Sequence, residues 1–556
     1  MFKKLKLNIN ENLKDKIKFL FIMLMLTIFV CLPYISNGTI FAHDLAYHLS
    51  RIINTSNEIT NGSFPVFIHS DLLNGLGYGN SLFYPELFLF PAIILVKLGF
   101  GVLLSYKALI LLITFSTFLT SYYSAKIISK DTKVSWITSI LYTTALYRIV
   151  DIFVRGALGE ILAMIFLPLM IAGLYDLVWG ENKRWYLISF ALFGILNSHL
   201  LSTLMGVILL VILCIVNATK IIKDKKKIKN IILAAVISIL LASSFLFTYI
   251  EQKVSDTLSV DVHRNSGESL LQNATTITDA LNNDFVSDGI FFTKAIGILL
   301  LIFPIGMFMI ENKKDRKEYK FYMQLYIIGM IVWLMSTDLF KWENTTMFSI
   351  LQFPYRLNVI STLLLSFVAG YSIMNIFENK DITFKVLIFV ILIMVSSQIS
   401  DVNTNPNSIT YDLLMSGNLI GNGEYKPVGF SEEDLDVYNV YEFESKIPFE
   451  RTGSKITFNY EENENEFKVH VPFTYYKGYQ AYSIDEEGNK QYLKVEKNDL
   501  NAHLLISSNE NIKGKVVVEY KMTMWQAIGY ITTIMTIVIF INYIIYNKKI
   551  RKAGNA

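Results

Sequence analysis

The sequence predicts a polytopic α-helical membrane protein of about twelve spans, with an extracytoplasmic β-rich domain near its C-terminus and a final transmembrane helix. Three observations predict it. Hydrophobic residues make up 53% of the 556 and charged residues 17%, with a mean hydropathy of +0.41; soluble domains carry about 25% charged residues. Apolar runs long enough to cross a bilayer recur along the chain. Charge is divided, because segment 401–522 holds 21 acids and 12 Lys/Arg, a net of −9, while the rest carries +12 in short loops between apolar runs. That distribution excludes a nucleic-acid footprint, and the composition excludes disorder and collagen. Cys31 and Cys214 sit inside apolar runs and read as small buried hydrophobes, too few for a disulfide framework or a cysteine zinc site.

Residues 1–16 form a basic N-terminus that reads as cytoplasmic. The expected spans are 17–36, 103–128, 134–150, 158–178, 185–199, 200–218, 231–250, 289–310, 320–340, 356–377, 383–400 and 523–546. The first run is long and has no small-x-small site before Asn37, so it reads as an uncleaved span rather than the competing signal peptide. Stretch 82–99 is interrupted by Pro85, Pro91 and Lys97 and reads as a re-entrant or interfacial part of a first external loop, 37–102. The transmembrane domain therefore runs over 17–400. Basic loops 220–229, 311–320 and the tail 547–556 belong inside; loop 251–288 and domain 401–522 belong outside. Within that domain, KITFNY (455–460), FKVHVPF (467–473), YLKVE (492–496) and KVVVEY (515–520) alternate as half-buried strands do, and EEGNK (486–490) supplies a hairpin turn. A sandwich or jelly roll is expected.

Ionisable residues gather at span ends rather than mid-span, five times on the same face. HDLAYHLSRI (43–52) holds His43, Asp44, Tyr47, His48 and Arg51; on a helix Asp44, His48 and Arg51 share one face. There Asp44 could act as a general base beside His48, or the stretch could be an interfacial helix with a solvated polar face. NGLGYGNSLFYPELFLFP (74–91) combines glycines 75, 77 and 79 with Tyr78, Phe83 and Tyr84, as a ligand-facing turn or a plain interfacial loop would. YRIVDIFVRGALGE (147–160) packs Arg148, Asp151, Arg155 and Glu160 into a short link, either as an anion site or as an internal Arg–carboxylate network. His199 ends a span within Asn197-Ser198-His199. Arg356 opens one within QFPYR, with no carboxylate nearer in sequence than Glu343, as a phosphate ligand or a snorkelling anchor. Carboxylates, histidines, arginines and aromatic rings on one face suit chemistry on an anionic, lipid-linked substrate.

These motifs resemble the GT-C superfamily of membrane glycosyltransferases. More closely, HDLAYHLSRI, NGLGYGNSLFYP, YRIVDIFVRGALGE, NSHLLS and QFPYRLN are similar to the YfhO-type proteins and their bacterial and archaeal relatives, often labelled "6-pyruvoyl-tetrahydropterin synthase-related", over residues 15–400. EYKP (424–427) and VPFTYYKGYQAY (471–482) are similar to that family's tail. The resemblance implies a GT-C fold and transfer of a sugar from a polyprenyl-phosphate donor to an acceptor outside the cell membrane. It maps the GT-C base onto Asp44, with His43-Asp44 standing where an acidic pair is usual. A divalent cation, if one takes part, is expected on Asp44, Asp151 and Glu160; no other cofactor is expected.

The leading expectation is an inverting glycosyltransferase acting on a cell-envelope glycan, teichoic acid, glycolipid or protein. Asp44 and His48 are its catalytic pair, and Arg356, Arg155 and Arg148 its donor-phosphate ligands. His43, Tyr47, Arg51, Tyr84, Asp151, Glu160 and His199 orient sugar or acceptor. The expected partners are the polyprenyl-linked donor, membrane lipid and a glycan or lipid acceptor, not nucleic acid. The alternatives are a transporter or flippase of lipid-linked glycans, against which the scarcity of mid-span charge counts, and a non-catalytic envelope assembly protein.

Overall fold

The structure, a computed structural model, describes residues 2–36, 42–262, 267–281, 286–287, 290–291, 293–311, 313–344, 346–377, 379–404, 420–421, 423–430, 439–442, 445–461 and 467–553. Parts of the expected loops 37–102 and 251–288, of segment 401–522 and of both termini lie outside these residues. Two compact units make up the chain, the first from 1–45, 103–235 and 265–410, the second from 46–102, 236–264 and 411–556.

The first unit is helical. Helix Leu158–Val178 is buried along nearly its whole length. Small residues let its neighbours approach, as they must where lipid leaves no hydrophobic drive between helices. A Cβ on Gly194 would stand 2.3 Å from the Phe166 ring, and one on Gly173 would stand 3.0 Å from the Ile188 backbone. Helix Asn358–Ile376 is the second buried element. Its Gly370 faces Thr138 of helix Thr132–Thr143, and its Tyr371 stacks on Tyr322 of helix Lys317–Met335 with centroids 4.2 Å apart. Helices Val102–Ser129 and Lys380–Thr404 expose Leu104, Leu112, Ile382, Phe389 and Ile393, as lipid-facing surfaces do.

Among the described residues, five helices are long and apolar enough to cross a membrane: Val102–Ser129, Leu158–Val178, Pro354–Ile376, Lys380–Val402 and Met524–Tyr546. Two bent pairs raise the number to seven, Thr132–Thr143 with Leu146–Arg155 at 43° and Lys225–Leu241 with Ser243–Ser255 at 71°. The expectation of about twelve is not confirmed among the described residues, where runs 185–199 and 289–310 yield the short apolar helices Tyr186–Leu196 and Leu299–Met309. Tyr186–Leu196 and Leu200–Val216 are separated where His199 caps the second helix, and run 289–310 is helical only from Leu299. Stretch 82–99 yields a 3₁₀ turn, Leu87–Leu89, and the eight-residue helix Phe90–Lys97 with proline in its first turn, roughly half of the 17 or more residues a span needs.

The second unit is built on one continuous antiparallel sheet of nine strands: β1 Val440–Glu442, β2 Ser445–Ile447, β3 Glu450–Thr452, β4 Lys455–Tyr460, β5 Phe467–Thr474, β6 Tyr479–Ile484, β7 Lys490–Lys497, β8 His503–Ser508 and β9 Gly514–Tyr520. Their spatial order is β2-β1-β5-β8-β7-β6-β9-β4-β3. All four segments that alternate in the sequence are strands, and Asp485–Asn489 turns β6 into β7 with Gly488 at φ +87°. This one sheet stands in place of the expected two-sheet sandwich. Its core residues Ile456, Phe458, Val469, Val471 and Phe473 share one core with Phe67, Ile68, Leu82 and Phe83, so the sheet curls round a core that residues 67–83 help to fill. Backbone and side-chain bonds tie the two: Thr474 N–H to Leu76 O at 2.7 Å and Arg451 Nη2 to Ser70 O at 2.7 Å. Gly79 serves this packing, since a Cβ there would stand 2.9 Å from the Tyr476 ring.

Candidate active site

In the first unit the motif 146–160 folds around a broken helix. Helix Leu146–Val150 runs into a π-helical turn, Asp151–Arg155, and helix Leu158–Val178 begins two residues later. Gly156 makes the corner at φ +65°, a conformation costly to any residue with a Cβ. Space demands glycine too, because a Cβ would stand 2.9 Å from Ala42 Cβ and 3.2 Å from Leu45 N. The segment that fills this space carries His43 and Asp44. Wide turns leave carbonyls without helical partners, and here His43 N–H donates to Val154 O at 2.9 Å and Asp44 N–H to Arg155 O at 2.8 Å. Both side chains are exposed. The His43 ring is nonetheless partly desolvated, and that desolvation and the Arg155 cation lower the pKa of its imidazole, favouring the neutral form.

Arg155 lies between two carboxylates. It pairs with Asp151 and, in a two-pronged contact, with Glu160 at 2.9 and 3.0 Å. Tyr147 Oη donates to Glu160 Oε2 at 2.9 Å. Arg356 Nε stands 3.3 Å from the other Glu160 oxygen, Oε1, so one carboxylate bridges two guanidinium groups. The premise that Arg356 lacks an acidic neighbour holds along the chain and fails in space. Tyr355 lies under the Arg155 guanidinium at 5.2 Å and the Lys294 ammonium at 5.6 Å. His199 lies within electrostatic range of Glu160, Arg356 and Arg155, and its Nδ1 is 2.9 Å from Ser202 Oγ. Arg155 keeps 7% of its side chain exposed and Arg356 15%.

Arg148 is placed differently. It is fully buried, donating to Thr143 O at 3.1 Å, Thr117 Oγ1 at 3.3 Å and Thr114 Oγ1 at 3.4 Å. It satisfies a carbonyl freed where helix Thr132–Thr143 ends. Asp151 and Glu160 face Arg155, and among the described residues no group of three or more His, Cys, Asp and Glu is placed to hold a metal ion.

The remaining sequence-selected residues belong to the second unit. Tyr47, His48 and Arg51 lie on helix Leu45–Thr60, with His48 buried and its Nδ1 3.4 Å from Arg51 Nη1. Arg51 donates to Pro85 O at 2.9 Å and covers the Tyr84 ring at 4.1 Å. Tyr47 and Tyr84 are parallel within 8°, with centroids 6.4 Å apart. Glu86, not selected from the sequence, faces His69 Nε2 at 3.3 Å and accepts from Thr55 Oγ1 at 2.8 Å. Burial raises its pKa, but His69, Arg51 and that hydroxyl outweigh burial and hold the carboxyl below its ordinary range. Tyr147, Tyr355 and Lys294 were also passed over; the first two sit inside quoted motifs, and nothing local marks the third.

These features define a multi-pass α-helical membrane protein with a β-sheet domain. No known protein family and no curated protein matches the sequence. Among solved structures, the chain is similar to the cryo-EM structure of arabinofuranosyltransferase AftD from Mycobacteria, at 13% identity and a TM-score of 0.45, over 71% of this chain. The match spans 28% of the length of that protein.

Proposed function

We propose that the protein is a membrane glycosyltransferase that moves a sugar from a polyprenyl-phosphate donor to an acceptor hydroxyl on the outer face of the cell membrane. The observation that supports this reading is the hydrogen bond from Asp44 N–H to Arg155 O, which ties the backbone of an exposed acidic residue to the segment whose arginine pairs with Glu160, the carboxylate that also meets Arg356. In the reaction Asp44 takes the acceptor proton. The freed oxygen attacks the anomeric carbon, the bond from that carbon to the phosphate oxygen breaks, and the configuration inverts. Negative charge grows on the leaving polyprenyl phosphate, where preset positive charge lowers the barrier. Arg356, the more exposed guanidinium, takes that phosphate, with Arg155 behind it. Glu160 keeps both arginines in place, while His199 and His43 border the sugar. Arg148 holds the broken helix that presents Arg155. Glycan and lipid profiling of a deletion strain tests the reading: an envelope glycan lacking one sugar is expected, and an unchanged profile counts against it.

Two further outcomes are expected. Replacing Arg356 with Ala should weaken donor binding about 10–150-fold, the worth of a hydrogen bond to a charged group. Arg356→Lys should lose less, keeping the charge but not the planar fork. Donor titrations with both variants decide it, and unchanged affinity in the Ala variant moves the phosphate to another cation. For topology, Ser454 lies in the turn between β3 and β4. A Ser454→Cys protein should label with an impermeant thiol reagent in intact cells; labelling only after lysis reverses the assigned orientation.

A further inference from the structure

The second unit holds a group of side chains that the transfer chemistry does not use. Tyr47 and Tyr84 present parallel, half-buried rings, and the Arg51 guanidinium already covers one face of Tyr84. Tyr47 Oη bonds to Asn80 Oδ1. Asn80 is 0% exposed, and the other end of its amide, Nδ2, meets no hydrogen-bond partner among the described residues. A buried donor left without an acceptor is costly, roughly 1–3 kcal/mol, and such orphans mark places where a ligand or water completes the set.

Glu424 completes the group. Its backbone is pinned, with its carbonyl accepting from Val260 N–H at 3.0 Å and the next carbonyl but one, of Lys426, accepting from Ser259 N–H at 2.9 Å. Its carboxylate is half-buried and makes no ion pair or hydrogen bond among the described residues. A Cβ built on Gly421 would stand 3.5 Å from Glu424 Oε2 and 3.8 Å from Tyr47 Cδ2, so the carboxylate and the tyrosine edge border one space.

Ring faces, one amide donor and one carboxylate without a partner among the described residues are the parts of a site with an apolar floor and a few placed polar groups. We propose that Tyr47, Tyr84, Asn80 and Glu424 form a binding site for a neutral sugar residue. Aromatic rings take the C–H face of the sugar ring, Glu424 accepts from its hydroxyls, and Asn80 Nδ2 donates to a hydroxyl oxygen. Charge sets the class. Glu424 repels a uronic acid or a phosphorylated sugar, and the Arg51 guanidinium is committed to Pro85 O, His48 and the Tyr84 ring. That the sugar belongs to the acceptor glycan rests on the transfer reading above; the binding itself does not.

The test uses the full chain, solubilised in a detergent without a sugar headgroup, on arrays of immobilised neutral hexose and pentose oligosaccharides with uronic-acid and phosphorylated counterparts. Neutral oligosaccharides should be retained over the acidic ones. Glu424→Gln should weaken retention about 10-fold or more, since it removes a charged acceptor. The Glu424 carboxylate makes no ion pair or hydrogen bond among the described residues, and a folding control by size exclusion in detergent separates lost binding from lost structure. Tyr84→Ala should weaken retention similarly, and Tyr84→Phe should keep it. Silence on the neutral arrays, preference for acidic sugars, or indifference to both Glu424→Gln and Tyr84→Ala overturns the site. Asp44→Asn should bind the arrays as wild type does. Array binding without any transfer by the wild-type protein leaves the site standing and removes the transfer reading; transfer with silent arrays does the reverse. In a transfer assay, Glu424→Gln should raise KM for the acceptor and leave kcat near wild type, a split that a structural role would not produce.

Discussion

Asp44→Asn is expected to lower sugar transfer about 10²–10⁴-fold, the usual contribution of a general base, while the amount of folded protein stays at the wild-type level. The amide keeps the shape of the side chain and cannot take a proton. Folding should be spared because what anchors this position is its backbone N–H on Arg155 O, which the substitution leaves untouched, and because the side chain is exposed. The measurement is turnover in membranes supplied with polyprenyl-phosphate-linked sugar, beside a folding control by size exclusion in detergent. Wild-type turnover in the Asn variant would remove Asp44 as the base. A loss of folded protein would mean that the carboxylate, not the backbone, holds the segment on the π-helical turn.

Glu160→Gln is expected to cost stability as well as activity. Two estimates compete. Hydrogen bonds between membrane helices average about 0.6 kcal/mol, which would make the change mild. Removing one partner of a buried ion pair costs about 3–5 kcal/mol, because the charge left behind has no counterpart. The second should dominate, since Glu160 is 2% exposed and serves two arginines that are themselves 7% and 15% exposed. Arg155 retains Asp151; among the described residues Arg356 retains the neutral acceptors Gln352 and Leu351 O. Arg356→Gln placed in the Glu160→Gln background should therefore recover part of the loss. A double-mutant cycle read by denaturant or thermal unfolding measures that coupling. Unfolding of the single Gln variant at the wild-type midpoint would show that the cluster does not carry folding energy.

Much of this architecture is legible in the sequence where burial follows a local period. KITFNY and FKVHVPF alternate because one side of each strand faces the core, and both are strands with Ile456, Phe458, Val469, Val471 and Phe473 inside. YQAYSI over 479–484 does not alternate, since Ala481, Tyr482 and Ser483 are all buried, and it passes unrecognised. The helices Leu158–Val178 and Met524–Tyr546 follow from apolar length alone. The breaks do not: helix Thr132–Thr143 ends where a buried Arg148 takes its last carbonyl, and the chain turns at Gly156 where Ala42 and Leu45 leave no room for a Cβ.

By itself the sequence determined the membrane class, the sheet-forming segment and the clusters that hold the chemistry, because composition and periodicity report how each residue meets lipid, water or core. Only the tertiary structure decided which charges neutralise one another. Arg356 has no acidic neighbour along the chain and takes Glu160 from another helix; residues 67–83 read as a loop and help to fill the core of a sheet. Coulomb energy and packing depend on separation in space, and separation along the chain carries no record of it once the helices fold back on one another.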